Sequence, residues 1–442
     1  IPQIMQGCGV KYFLTTKMAW NDTNQFPYDT FYWKGLDGTS VFSHLNKTHV
    51  WPAPKDFYQY VYGTQSPDAI RQKYVADRKL ISYGFGDGGG GPQYEMVEMA
   101  RRCKDLEGCP KTEHTTVSRF MQELEANVHN PDTFSGELYL ELHRGTLTNQ
   151  HNIKRNNRLA EIALHDLEFL TVGNAVEAGA EANDSQYRDL QETLLVNQFH
   201  DILPGTCIPR AHKESLEETN ALLDASHKLI QEAASVRAEE NKFTVVNTTS
   251  FVRKETVYLD YVPGMRVQGD YAQQIVETLK GEKKLAVAGV EVPAYGSVVL
   301  TLEPGEVGGE SAFCRNGAEL TTPFAKVTLN DRGYLSSFYD TVAGRELTGE
   351  GYPFNTFLVA EDLPAEWDNW DVDADLEMKF KDCAKLLSSE VVSDGPVELR
   401  IRNRYQLTEK STLTQDMIFS AASPLVRFET LMDWQDDHRF LK

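Results

Sequence analysis

The spacing of apolar residues changes along the chain, and this change constrains the fold more than any other feature of the sequence. Over residues 93–240 apolar side chains recur every three or four positions, as Met96 and Met99 do, which is typical of one face of an α-helix. Beyond this region they alternate, for example over residues 325–329 and 397–405, which is typical of half-buried strands. The sequence therefore predicts a set of helices followed by β domains.

The first 92 residues alternate between strand-like and helix-like segments. Residues 10–15 and 80–85 are rich in β-branched and aromatic residues, whereas residues 67–79 favour a helix. Residues 137–143 predict one further strand, because leucines alternate there with other side chains. Alternation of strand and helix is typical of an α/β layer, and the strands over residues 1–92 are too few to close a sheet.

The predicted fold class is therefore multi-domain α/β + α + β. We expect part of an α/β domain over residues 1–92 and an antiparallel helical bundle over residues 93–240. A small β domain follows over residues 241–305, and residues 306–442 form the start of a large β-sandwich. The acidic, glycine-rich residues 303–310 are the predicted linker between the two β regions.

The charge balance excludes two classes of partner. The 442 residues contain 44 Lys and Arg against 65 Asp and Glu, which gives a net charge of −21. Nucleic acids and anionic membranes are bound through concentrated basic residues, so we expect neither as a partner. The six cysteines contain no Cys-x-x-Cys pair, which argues against a thiolate zinc site and against a disulfide scaffold.

A glycine-rich loop over residues 83–92 is the first candidate for a functional site. Five glycines surround Asp87 before a predicted helix. A phosphate-binding loop is excluded, because no Lys-Ser/Thr follows and Asp87 would repel phosphate. A flexible linker is the plain alternative, although serine is absent and aromatic residues flank the loop. We favour a loop at the end of a strand that presents Asp87 to a cleft.

A second candidate is the segment over residues 197–206, at the end of a predicted helix. His200 lies there among polar neighbours, next to Asp201, on an otherwise apolar helix. Burying such a set costs several kcal/mol unless a ligand or a metal satisfies it, and imidazole is a common zinc ligand. A lone histidine is more often a core or surface residue, and no His-Glu-x-x-His motif is present.

Three weaker candidates combine aromatic and hydrogen-bonding side chains, as sugar-binding sites do. They are residues 20–23, residues 143–146 and residues 367–371. The first two could equally be structural turns, since Asn and Asp favour turns. For residues 367–371, with two tryptophans and two aspartates, the alternative is a packed corner of the sandwich.

Together these segments resemble glycoside hydrolase family 38, the zinc-dependent retaining α-mannosidases. The matching stretches follow one another in the family's order and at its distances, and the resemblance covers essentially the whole chain. They are residues 1–5, 11–27, 86–92, 136–146 and 197–206.

The resemblance implies roles for individual residues. In the family a zinc ion is held by a His-x-Asp pair, the nucleophilic Asp and a His on the helical bundle, and His200 matches the last of these. Asp87 matches the general acid/base, whose pKa would have to be raised by burial or by a neighbouring carboxylate. The implied partner is a mannose-containing oligosaccharide. We expect six residues to bind it: Trp20, Asn21, Asp22, His143, Arg144 and Asp201.

The resemblance also implies that part of the catalytic apparatus lies upstream of Ile1. In relatives, the stretch that matches residues 1–5 closely follows the Asp-x-Phe-Gly motif of the nucleophile, and the His-x-Asp pair lies further upstream. We therefore expect this polypeptide alone to be inactive and without tightly bound zinc. The alternative is a non-catalytic carbohydrate-binding or assembly fragment whose β domains mediate contacts in a homo-oligomer. A hydrolase of non-sugar substrates would require metal ligands that the sequence does not show.

Overall fold

The computed structural model describes residues 1–21, 23–63, 69–86, 89–179, 184–236 and 238–442. It divides into two compact units, Ile1–Arg144 and Gly145–Lys442. The described residues combine a mixed sheet, long helices and antiparallel sheets, so the predicted α/β + α + β class is confirmed. None of the helices in these ranges has the length and apolar character needed to cross a membrane.

The first unit consists of short helices and strands around a mixed sheet. Its helices are α1 (Pro2–Gly7), α2 (Pro54–Tyr62), α3 (Tyr94–Arg102) and α4 (Val117–Asn127). Its strands are β1 (Tyr12–Thr15), β2 (Thr30–Lys34), β3 (Ser40–Leu45), β4 (Lys47–Val50), β5 (Ile81–Tyr83) and β6 (Asp132–Ser135). The sheet has the order β1-β3-β2-β6, in which β2 and β3 are antiparallel and the outer pairs are parallel. Strands β4 and β5 form a separate parallel pair.

Helix α4 covers one face of the mixed sheet. Its residues Phe120, Met121 and Leu124 are buried against Phe42 of β3, whereas Phe31 belongs to the core on the opposite face. The apolar stripe of α4 is therefore used by the sheet and not by the helical bundle. The first unit, to which α4 belongs, extends to residue 144, and the predicted domain boundary at residue 92 stays a prediction.

A histidine lies in the core beside this helix. His44 on β3 is fully buried and packs against the ring of Phe120, with ring centroids 5.1 Å apart. Its Nε2 accepts a hydrogen bond from the backbone N–H of Leu80 at 3.4 Å, and its Nδ1 lies 3.0 Å from Thr30 Oγ1. Burial lowers the pKa of this imidazole from 6.5 to about 3, because a charged ring would lose its hydration.

Two predicted elements of the first unit are absent from the described residues, and side chains explain both. Over residues 137–143 no strand forms, because Asn21 binds the backbone N–H of Glu141 and the carbonyl of Tyr139 that a strand ladder would use. Over residues 69–79 no helix forms, because Gln72 is buried and accepts two backbone hydrogen bonds from residues 29 and 30. The rest of that predicted helix, residues 67 and 68, lies outside the described ranges.

The second unit begins with long helices. They are α5 (His151–Ala178), α6 (Asp184–Asn197) and α7 (Pro209–Ser235), and a short α8 (Leu376–Lys379) follows much later. The buried residues Ala160, Leu164, Leu194 and Leu222 form the core between α5, α6 and α7. These residues follow the helical spacing in the sequence, and all three helices lie within the predicted helical region of residues 93–240.

The rest of the second unit is β-structure. The first group of strands is β7 (Lys242–Val246), β8 (Arg253–Asp260), β9 (Met265–Val267), β10 (Gln273–Glu277), β11 (Lys283–Val292) and β12 (Ser297–Pro304). They form the sheets β10-β11-β8 and β7-β12-β9, which share one core of valines and leucines.

The remaining strands build the sandwich. They are β13 (Cys314–Asn316), β14 (Glu319–Thr321), β15 (Ala325–Leu329), β16 (Leu335–Asp340), β17 (Arg345–Glu346), β18 (Val359–Glu361), β19 (Lys385–Ser393), β20 (Glu398–Gln406), β21 (Thr412–Ser420), β22 (Val426–Asp433) and β23 (Arg439–Leu441). Sheets β13-β14-β15-β16-β17 and β19-β20-β21-β22 face each other, because Val327 and Leu329 share a core with Ile401 and Met417.

Candidate functional site

The turn that follows α6 carries the candidate zinc ligand, and two neighbouring helices fix its start. We call residues 197–206 the His200 turn. The buried Asn197 donates a hydrogen bond to Glu218 of α7 at 2.9 Å, and Gln198 donates to Asn157 of α5 at 3.0 Å. The first two residues of the turn are thereby bound to both α5 and α7.

His200 itself is exposed. Its side chain keeps 75% of its accessible surface, and its Nε2 lies 3.6 Å from Asp201 Oδ2. The imidazole packs against the neighbouring ring of Phe199, with centroids 4.4 Å apart. The polar set considered in the sequence is therefore not buried as a whole: Asn197 is buried and hydrogen-bonded, whereas His200 projects from the turn with a ring nitrogen accessible to a ligand.

The turn closes through Asp201 and Gly205. The carbonyl of Asp201 accepts hydrogen bonds from the backbone N–H groups of Thr206 and Cys207 at 3.0 and 2.9 Å. The carboxylate of Asp201 accepts a further one from the Thr206 hydroxyl at 3.0 Å. Gly205 has φ = +82°, and a Cβ at this position would lie 2.7 Å from Asn149 Oδ1, so only glycine fits here.

Lys154 of α5 binds the same turn through its side-chain ammonium group. Its ammonium group lies 3.0 Å from the carbonyl oxygen of Leu203 and 3.1 Å from that of Pro204. It also lies 2.8 Å from the carbonyl oxygen of Asn149 and 3.1 Å from its side-chain oxygen. Burial lowers the pKa of Lys154. The Lys154 ammonium group thus joins α5 to the His200 turn by hydrogen bonds to backbone carbonyl oxygens.

A loop of the β region completes the support. The Nδ2 of Asn369 donates to the Gly205 carbonyl at 2.9 Å, and Asn149 Nδ2 donates to Asn369 Oδ1 at 3.1 Å. The N–H of Gly145 donates to the carbonyl of Trp370 at 3.1 Å. The His200 turn is therefore held both by the helices and by residues 367–371. These contacts fix the backbone that carries the exposed side chain of His200.

Among the described residues, His200 is the candidate zinc ligand. A catalytic zinc takes about three protein ligands, and the ring nitrogen of His200 is chemically suited to be one of them. Within the described ranges, no group of three or more His, Cys, Asp or Glu side chains is arranged to hold a metal ion. His200 as a zinc ligand therefore stays a prediction.

In the first unit, Asn21 and Glu141 form a closed polar cluster. Asn21 is buried, and its Nδ2 donates to the Tyr139 carbonyl at 2.9 Å while its Oδ1 accepts from the N–H of Glu141 at 2.9 Å. The Glu141 carboxylate accepts the backbone N–H groups of Thr23 and Asn24 at 2.8 and 3.0 Å. The side chain of Asn21 thus holds the loop, as the structural alternative suggests, and its contact with a sugar stays a prediction.

Trp20 and His143 lie together beside this cluster. Their ring centroids are 5.8 Å apart, edge to face, and the Lys17 ammonium sits 3.5 Å from the centroid of the indole. Trp20 is about one-third exposed, His143 has φ = +67°, and Arg144 opens a short 3-10 turn (Arg144–Leu147). The structure brings Trp20 and His143 into contact, and the predicted substrate contacts of Trp20, His143, Arg144 and Asp201 remain untested.

The predicted general acid/base, Asp87, and the predicted substrate ligand Asp22 lie outside the described residues. The flanks of the glycine-rich loop lie within the described ranges. Phe85 and Gly91 pair through two backbone hydrogen bonds of 2.9 and 3.1 Å. Gly84 has φ = +126°, and a Cβ there would lie 2.9 Å from the backbone of Gly91. The two flanks of the glycine-rich loop are therefore joined directly after β5.

Sequence reasoning missed the supporting residues Glu141, Lys154, Asn149 and Asn369. Glu141 was assigned to a strand, and its clue was an acid within a leucine-rich segment. Lys154 and the two asparagines bind mostly backbone carbonyls and each other. Every residue has a backbone carbonyl, so a partner of this kind leaves no pattern in the sequence, and no motif marks these three residues.

Three family models match successive parts of the chain. The model described as glycosyl hydrolases family 38 N-terminal domain matches residues 1–138, and the alpha mannosidase middle domain model matches residues 141–236. The family 38 C-terminal domain model matches residues 320–442. The chain belongs to glycosyl hydrolase family 38. The resemblance deduced from the motifs is thereby confirmed.

Individual relatives agree with this assignment. The chain is 32% identical to alpha-mannosidase 2C1 of Homo sapiens, over all of this chain and 42% of that protein. It is 27% identical to the alpha-mannosidase of Saccharomyces cerevisiae, over all of this chain and 39% of that protein. The chain thus spans about two-fifths of the length of these relatives.

A solved structure supports the fold. The crystal structure of an alpha-mannosidase from Enterococcus faecalis V583 matches all of this chain and 60% of that chain with a TM-score of 0.71. Because the sequence identity is 14%, this likeness bears on the fold alone.

Proposed function

We propose that this chain provides part of the active site of a zinc-assisted, retaining α-mannosidase that removes terminal α-linked mannose from oligosaccharides. Family membership and relatives named alpha-mannosidase support a glycoside hydrolase as the parent protein. The observation that carries the finer proposal is the His200 turn. Asn197, Lys154 and Asn369 fix this turn, and the exposed imidazole of His200 on it is suited to bind a zinc ion.

Retaining hydrolysis requires two carboxyl groups about 5 Å apart, one as the nucleophile and one as the general acid/base. We assign the acid/base role to Asp87, in the loop whose flanks, Phe85 and Gly91, are paired. The nucleophile and the remaining zinc ligands are assigned to sequence outside these 442 residues, in keeping with the two-fifths of the relatives that the chain covers. When bound, zinc would orient the sugar hydroxyls next to the reacting carbon.

The isolated chain is therefore expected to be inactive. Zinc quantitation and a chromogenic α-mannoside assay on the purified 442-residue chain test this expectation. Little bound zinc and no turnover are the expected results. Turnover with one zinc per chain would contradict the proposal, because the chain would then hold a complete site.

The full-length protein separates the enzyme from a non-catalytic carbohydrate-binding protein. There, Asp87→Asn should abolish turnover and leave zinc content and folding intact, whereas His200→Ala should lower zinc content. His212→Ala, at a half-buried histidine on α7, is the matched control for zinc content. A full-length protein that binds mannose-containing oligosaccharides without cleaving them would favour the non-catalytic alternative.

A further inference from the structure

The loop of residues 367–371, here the Trp367 loop, has a strained backbone. Trp367 has a φ of +58°, a region that bulky residues rarely adopt. Asn369 has a φ of +69°, which asparagine tolerates. The carbonyl of Trp367 accepts the N–H groups of Trp370 and Asp371 at 2.8 and 3.0 Å, which closes the loop into a tight turn. The unfavourable conformation of Trp367 persists only where the surroundings hold it, and such positions cluster at functional sites.

The surroundings that hold the Trp367 loop belong to the candidate site. Asn369 bonds to Gly205 of the His200 turn and to Asn149, and the carbonyl of Trp370 accepts the N–H of Gly145. A Cβ on Gly145 would lie 2.9 Å from the carbonyl oxygen of Asp371, so the loop approaches that segment as closely as glycine permits. The loop and the His200 turn are therefore parts of one rigid assembly.

The indole of Trp367 is presented to solvent by this assembly. Its exposed fraction is 63%, whereas Trp370 in the same loop is half-buried. Within the described residues, no aromatic ring or cation is stacked on the Trp367 indole. The side chain of Asp368 beside it is exposed and carries a carboxylate. The loop thus exposes an uncovered aromatic face next to a carboxylate.

A hexose ring matches this surface. One face of the ring presents C–H groups that pack on an aromatic plane, while the hydroxyls around its edge bond to carboxylates and amides. We propose that Trp367 is the stacking platform of a distal subsite, which binds a sugar ring of the mannose-containing oligosaccharide other than the one that is cleaved. This inference rests on the proposed function, since it assumes that the substrate extends beyond the reacting mannose.

The test compares two substrates of the full-length protein. A high-mannose oligosaccharide reaches the distal subsite, whereas 4-nitrophenyl α-mannoside has no second sugar ring. Trp367→Ala should lower the ratio of kcat/KM for the oligosaccharide to kcat/KM for the aryl mannoside about three- to tenfold, through KM, as expected for the loss of one aromatic stack. Trp367→Phe should recover most of the ratio. Tyr352→Ala, at a tyrosine of the same unit that is 78% exposed, is the matched control.

Two kinetic results would overturn the proposal. An unchanged ratio would mean that no sugar stacks on Trp367, and equal losses on both substrates would mean that Trp367 only supports the fold. If the wild-type protein hydrolyses neither substrate, the proposed function fails and the subsite is decided by binding. Titration of the 442-residue chain with the oligosaccharide should then quench tryptophan fluorescence in the wild type and not in Trp367→Ala, and the absence of quenching in the wild type would refute the subsite.

Discussion

Replacement of Lys154 by methionine tests the support of the His200 turn most directly. Methionine has nearly the same length and removes every hydrogen bond from the ammonium group to the oxygens of Asn149, Leu203 and Pro204. A hydrogen bond to a charged group contributes about 1.5–3 kcal/mol net. The ammonium group has three protons, so it makes at most three strong hydrogen bonds at once. Because it is half-buried, water can take the place of some of these bonds in the variant, and methionine avoids the cost of removing a charged group from water. We expect the turn to lose about 2–3 kcal/mol.

Hydrogen exchange measures this loss where it occurs. The amide of Cys207 is protected by its bond to the Asp201 carbonyl. A loss of about 2–3 kcal/mol should speed its exchange roughly 30- to 150-fold in Lys154→Met. Lys154→Arg should retain part of the protection. Lys213→Met removes an exposed lysine of α7 that pairs with Glu217 at 3.7 Å, and it should leave this exchange unchanged. Unaltered exchange in Lys154→Met would refute the role assigned to the ammonium group.

Two further predictions concern the core of the first unit and Gly205. The pKa of His44 falls from 6.5 to about 3 on folding. Between these pH values the unfolded chain binds a proton at this residue and the folded chain does not, so stability is lost as the pH falls below 6.5. Between pH 7 and pH 5 the free energy of unfolding should fall by about 2 kcal/mol from this residue. Urea titrations should detect this fall in the wild type, and His44→Gln should remove it. An equal pH dependence in both proteins would contradict the prediction. Gly205→Ala should destabilise the second unit by at least about 1–2 kcal/mol more than Gly264→Ala, because both glycines have positive φ values and only the first would meet Asn149. Equal thermal shifts for the two variants would show that the contact with Asn149 has no cost.

The sequence predicted those parts of the fold that depend on a long apolar pattern. Strand β15 (Ala325–Leu329) was predicted with its observed ends, and α5 and α7 close to theirs, because their apolar residues face one core. Where a side chain binds the backbone, the pattern failed. Asn21 takes the backbone groups of residues 139 and 141, and Gln72 those of residues 29 and 30. Such contacts join positions far apart in the chain, so local propensity does not reveal them.

The candidate site shows the same division. The motif around His200 could be recognised, because its residue types carry the chemistry. The groups that hold it could not, because Lys154 binds carbonyl oxygens and Asn369 lies more than 160 residues away from Gly205 in the sequence. The exposure of His200 also depends on packing, since Asn197, three residues earlier in the same turn, is buried.

The assignment of Asp87 as the general acid/base of a retaining α-mannosidase is the central claim, and azide rescue tests it most directly. In the full-length protein, Asp87→Ala should still form the glycosyl-enzyme from an aryl α-mannoside with a good leaving group, because departure of that group needs little proton donation. Azide needs no general base, so it should accelerate turnover and yield the α-mannosyl azide, with the configuration of the substrate. A β-mannosyl azide would identify Asp87 as the nucleophile instead. Wild-type turnover in Asp87→Ala without azide would exclude Asp87 from the catalytic step.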